Sequence, residues 1–136
     1  MDGWHVPSHE EWTTMTTYLD ETNYWTLLGG MMKATGTIED GDGLWYAPNY
    51  GATNETGFTA LPGGSRYGNT VSPTFYHSGE WAQFWTSTWG YYEEPENPGD
   101  GVAIYYRLQH NNAEVAISNA LHRAGLSVRC IADDPI

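Results

Sequence analysis

Val102 to Gln109 alternate strictly between two faces, with Val102, Ile104, Tyr106 and Leu108 on one and Ala103, Tyr105, Arg107 and Gln109 on the other. Successive side chains of a β-strand point to opposite sides of its sheet, so this period predicts a long strand with its aliphatic face inward. His110-Asn111-Asn112 then predicts a turn. Ala113, Val115 and Ile117 share the inner face of a returning strand, with Glu114, Ala116 and Ser118 outward. Residues 118–125 read as a polar loop. Leu126, Val128 and Cys130 read as a last strand whose apolar face buries Cys130. The C-terminal third is thus an antiparallel meander.

The N-terminal part follows a different period. Ser8 precedes Glu11 by three residues, the spacing of a capping box. Trp12, Met15 and Leu19 then form one apolar stripe, which predicts a short helix ending near Leu19. A second, weaker helix is expected from Trp25 to Ala34, where Gly29-Gly30 permits close packing. Residues 36–57 shift to Gly, Asp, Asn, Thr and Tyr and form a long loop. Trp81 to Thr88 alternates as another strand, with Trp81, Phe84 and Trp85 as its large groups. Helices first and antiparallel strands last make the fold class α+β, in a single domain of 136 residues.

Charge limits the partners. Five Lys and Arg face seventeen Asp and Glu, a formal charge of −12, and such a field repels a phosphate backbone. Nucleic acid is therefore not an expected partner. No basic amphipathic stretch and no long apolar run points to membrane insertion. Met1-Asp2-Gly3-Trp4 lacks the basic start and apolar core of a signal peptide.

Residues that could carry chemistry are few. Cys130 is the only cysteine, and its place in an apolar alternation predicts an inert core thiol. His5, His9, His77, His110 and His122 form neither a helical i, i+4 pair nor a His-x-His pair. Glu39-Asp40-Gly41-Asp42-Gly43 lacks the spacing of a calcium loop and reads as a solvated turn. Neither a metal nor another cofactor is expected, and no enzyme activity. One competing reading is a calcium-dependent carbohydrate module using Glu94, Glu96 and Asn97 of the run Glu93-Glu94-Pro95-Glu96-Asn97.

The aromatic residues carry more. Trp89, Tyr91, Tyr92, Tyr105 and Tyr106 gather in the last third beside Ser and Asn. Tyr and Trp give large contact area at low entropy cost, and Ser, Gly and Asn give adaptable hydrogen bonds, the composition of binding loops. Tyr106 shares the inner face with Ile104 and Leu108. Tyr105, with Arg107 and Gln109, is expected on an exposed face.

Gly3-Trp4-His5-Val6-Pro7-Ser8, Glu11-Trp12, Gly29 to Gly36, Gly57 to Gly64, Arg66-Tyr67-Gly68, Phe84 to Thr88 and Gly125 to Cys130 occur together and in this order. In this the chain resembles the Fibrobacter succinogenes major paralogous domain, which is similar to the formylglycine-generating-enzyme type of C-type-lectin-like fold. The enzyme branch uses two active-site cysteines and this chain has one, so the resemblance carries no activity over. It is also similar to the variable proteins of diversity-generating retroelements, receptors of cell surfaces or phage tails that display randomised side chains on a fixed scaffold. Their framework corresponds to Phe84 to Thr88, Ala103-Ile104, Leu108, Asn111 to Val115 and Gly125 to Cys130; Ile104 stands where the framework has Trp, and residues 93–101 are longer and more acidic.

The resemblance implies a binding region of about residues 85–130, with diversified slots between framework positions. The expected ligand contacts are Trp89, Tyr91 and Tyr92, then Tyr105, Arg107 and Gln109. Glu114, Ala116, Ser118, Asn119, Leu121 and Arg123 complete the set. The implied partner is a protein or glycan on another cell or surface, and the implied location is extracellular, at the cell surface or on a virion. A non-diversified cell-surface lipoprotein domain is the other form this reading takes.

Overall fold

The computed structural model describes residues 2–21, 25–67, 73–90 and 101–134. Along the chain run β1 (Trp4–His5), α1 (His9–Leu19), α2 (Leu28–Met32), β2 (Ser65–Tyr67), β3 (Thr74–Tyr76), β4 (Trp81–Trp89), β5 (Val102–Gln109), β6 (Ala116–Leu121) and β7 (Ile131–Ala132). Every strand pair is antiparallel: β1 with β7, β2 with β3, and the sheet β4-β5-β6. The α+β class follows directly.

α1 begins as its sequence predicts. The Ser8 hydroxyl accepts from the Glu11 N–H at 3.1 Å, and the Glu11 carboxylate accepts from the Ser8 N–H at 2.8 Å, so two otherwise orphaned donors are satisfied. The helix buries Trp12 and Thr16. Trp12 stacks on Tyr106 of β5 with ring centroids 4.7 Å apart, and Phe58 and Phe84 close around it. Ile104, Leu108, Leu28, Met32 and Trp45 complete this core, which lies on the face of the sheet toward the helices.

α2 is shorter than the expected span of 25–34. Trp25 has φ of 49° and Lys33 is extended, so the helix has one turn between them. Its glycines exist for contact: a Cβ on Gly29 would lie 2.3 Å from the Glu114 carbonyl oxygen, and one on Gly30 would lie 2.3 Å from that of Gly51. The backbone itself is the packing surface here, as Gly30 N–H donates to Ala113 O and Thr53 N–H donates to Gly30 O.

Just after α2, Lys33 is wholly buried. Its Nζ donates to the carbonyl oxygens of Tyr50 (2.8 Å), Gln109 (2.8 Å) and Asn112 (2.9 Å), one for each N–H of an ammonium. Burial lowers its pKa to about 8. One side chain thus ties the long loop to the end of β5 and its turn.

The loop of residues 36–57 is pinned by its own bonds. Trp45 is buried with Nε1 donating to Ala60 O, and the Asn49 amide donates to Ala34 O and Gly36 O. In the acidic stretch, Asp42 accepts from Thr37 N–H and Asp40 from the Thr37 hydroxyl, which makes it a tight turn.

Two expectations for the C-terminal third need correction. Residues 118–121 are strand, not loop, because β6 pairs with β5 as far as Val102↔Leu121. Residues 126–130 form no strand of their own; Val128 is exposed and Cys130 is half-buried. Backbone bonds tie this segment to β4, with Trp85 N–H donating to Ser127 O and Ser127 N–H donating to Gln83 O.

Candidate functional site

Trp85 opposes Tyr105, yet Trp89 opposes Ala103, so four steps along β4 match two along β5. Such a bulge bends a strand and re-aims its side chains, and bulges concentrate beside functional sites. The bulge is held from outside the sheet: Ser87 N–H donates to Pro7 O, and His9 N–H donates to the Thr88 hydroxyl. Beyond it Trp89 is 57% exposed, with the His122 ring 4.3 Å from its own. Both rings sit over Gly101, where a Cβ would lie 2.6 Å from Trp89 and 3.0 Å from His122. Trp85, Thr86, Ser87, Trp89, Ala103 and His122 line an open cleft of about 290 Å³.

Of the expected contact set, Trp89 lines this cleft. Ser118, Leu121 and Arg123 are exposed and Asn119 is half-buried, all on β6 or just after it. Asn119 Oδ1 has no hydrogen-bond partner and would lie 2.7 Å from a Cβ on Gly90. Tyr91, Tyr92, Glu94, Glu96 and Asn97 lie outside the described residues.

The rest of the set is elsewhere. Gln109 is the last residue of β5 and Ala103 is near its start, about 20 Å away at roughly 3.4 Å per residue. Gln109, Glu114 and Ala116 therefore occupy the opposite end of the sheet from Trp89. The expectation that Tyr105 is exposed is wrong: it is 6% accessible, in a second cluster with Ala120 and Ala124 against Tyr67, Trp85 and Leu126. Arg107 and Gln109 are half-buried. The physical reason is a second layer. Ser65 to Tyr67 and the chain around residues 124–127 lie against the outer face of the sheet, joined by reciprocal Arg66–Gly125 backbone hydrogen bonds at 2.8 Å. A strand period separates two faces but does not say that only one is covered.

Under that layer lies a polar cluster. Gln83 is 0% accessible, and its side-chain amide and the Ser65 hydroxyl meet the Tyr67 hydroxyl. Arg107 Nε is buried beside them without a hydrogen-bond partner. Burial foremost raises the pKa of Tyr67 in the same cluster, with Tyr105 adding to it, and keeps the phenol a donor. The Arg107 guanidinium lies 4.6 Å over the Trp81 ring, which stacks on His77 at 3.5 Å.

Other chemistry is sparse among the described residues. No group of three or more His, Cys, Asp or Glu is placed to hold a metal ion, and no helix is long and apolar enough to cross a membrane. Cys130, expected in the core, instead lines a groove with Pro7, Trp12, Met15, Phe58 and Arg129. His5 is engaged on both nitrogens, by Asp133 at 2.7 Å and Glu11 at 2.8 Å.

The sequence profile of the Fibrobacter succinogenes major domain matches residues 2–132. The chain belongs to that family. No curated protein and no solved structure matches it. The family covers the helices, the pinned loop and the whole sheet, so the Trp89–His122 cleft and the Gln83 cluster both lie within its bounds.

Proposed function

We propose that this member of the family is a receptor-type ligand-binding domain on a C-type-lectin-like scaffold, with its recognition surface at the Trp89–His122 end of the sheet. The carrying observation is an exposed indole, paired with His122 and held beyond a strand bulge over an open cleft. A large ring left in water gains most when a partner covers it, and fixing it beforehand lowers the entropy cost of binding. Ser118, Leu121 and Arg123, on β6 or just after it, are exposed and open to the same partner. The division into an aliphatic core face and exposed positions on β6 is compatible with kinship to the variable proteins of diversity-generating retroelements. The partner in this reading is a protein or glycan on another cell or surface, met outside the cell or on a virion.

A glycan and protein array probed with the intact domain and with Trp89→Ala and His122→Ala tests this. The proposal expects a ligand retained by the parent and weakened at least tenfold by either substitution, with unfolding midpoints unchanged. Equal retention by all three proteins would remove the cleft from recognition. Diversification has its own test: a template copy of residues 85–130 beside a reverse-transcriptase gene, differing at adenines in the codons for 118, 119, 121 and 123.

A further inference from the structure

The groove beside Cys130 has a volume of about 290 Å³ and runs where α1 meets Phe58 and the chain entering β7. Its apolar walls come from Pro7, Trp12, Met15, Phe58 and Ile131, and its charged residues are Glu11 and Arg129. The two charges are not equivalent. Glu11 is already satisfied, since one oxygen accepts from the Ser8 N–H at 2.8 Å and the other meets His5 at 2.8 Å. Arg129 is exposed, and among the described residues no carboxylate pairs with it, although Asp and Glu outnumber Lys and Arg 17 to 5. Its guanidinium lies 4.6 Å over the Phe58 ring, so a cation is held against one apolar wall.

We infer that this groove binds a small aromatic carboxylic acid, with its ring against Trp12, Met15 and Phe58 and its carboxylate on Arg129. The volume lies at the lower end of ligand pockets, which span about 300–1,000 Å³, and so suits a one-ring molecule better than a length of peptide. Rings and a thioether on the walls favour an aromatic body, through ring–ring and sulfur–ring contacts. A carboxylate matches a guanidinium in shape as well as charge, and a guanidinium already resting on Phe58 loses little freedom in pairing. A cationic ligand would meet Arg129 while the Glu11 charge is taken up by His5. The net charge of −12 opposes an anion at a distance, but physiological salt screens it over about 8 Å and leaves the local cation to decide. This groove and the Trp89 cleft share no lining residue, so neither reading depends on the other.

The test is an amide and indole chemical-shift titration of the intact, isotopically labelled domain with three probes. Phenylacetate is the aromatic acid, phenylacetamide its uncharged counterpart and acetate the acid without a ring. The expected result is a saturable set of shifts with phenylacetate, largest at residues 11–15, 58 and 129–131, and binding at least tenfold weaker for the other two probes. Arg129→Gln should raise the half-saturating phenylacetate concentration at least tenfold; because Arg129 is exposed, this variant should keep the unfolding midpoint of the parent. Trp89→Ala should leave the titration unchanged, which separates this result from recognition at the cleft. The inference is overturned if phenylacetate gives no saturable shifts, if its shifts centre on other residues, if phenylacetamide binds as tightly, or if Arg129→Gln binds phenylacetate as the parent does.

Discussion

Lys33 shows how one residue can organise segments far apart in sequence. Its three N–H groups meet carbonyls from Tyr50, Gln109 and Asn112. Lys33→Met keeps the apolar stem but leaves three acceptors unpaired, and should lower stability by about 2–4 kcal/mol in urea unfolding. The same residue sets a pH dependence. The unfolded lysine holds its proton up to about 10.5, while the buried amine releases it at about 8. Between these values the unfolded state binds more protons, so this contribution to stability grows as pH rises and is lost as pH falls through 8. Unfolding free energies at pH 7, 8 and 9 should show that rise in the parent and not in Lys33→Met. Nothing in a linear pattern marks Lys33, because its partners come from a loop, a strand end and a turn. Tyr105 was misread for a related reason: its alternation places it opposite Ile104 and Leu108, and only the distant residues 65–67 and 124–126 bury that second face.

The elements with local signals were legible. The capping box of α1, the period of β5 and the start of β4 are all set by neighbours in sequence, and the structure has them where their residues predict. The ends were less so. The extension of β6 to Leu121 is dictated by pairing with Val102, and the bulge before Trp89 depends on Pro7 and His9 from the other end of the chain. Close packing of α2 is equally nonlocal. Gly29→Ala would drive a methyl group into the Glu114 carbonyl and should destabilise by about 1–3 kcal/mol, measurable by thermal unfolding. The closure of β1 on β7 has an electrostatic clamp. Carboxylates accept only, so His5 donates from both ring nitrogens and is held as a cation, and its pKa is raised by Asp133 first and Glu11 second. The Glu11 pKa is lowered, chiefly by the Ser8 N–H. His5 thus contributes fully below pH 6.5 and loses its contribution as pH rises through its raised value; Glu11 contributes above about 4.5 and loses it as pH falls. The midpoint of the parent should exceed that of His5→Gln most between pH 4.5 and 6.5, and the gap should narrow on either side.

At the scale of the molecule, the sheet divides labour between its ends and its faces. One face, with Trp12, Phe84, Tyr106 and Leu108, fixes the scaffold. The other carries a half-covered layer of rings around Gln83 and Arg107, and the far end presents Trp89 and His122 to solvent. A charge of −12 surrounds this, so a basic or neutral partner is favoured at long range. The most direct test of recognition at the Trp89 end is an amide chemical-shift map of the labelled domain, titrated with the ligand its array retains. The account predicts that the largest shifts fall at residues 85–90, 101–103 and 118–123, with the indole N–H of Trp89 among them. Shifts confined to the loop of residues 36–57, or to the groove beside Cys130, would contradict it.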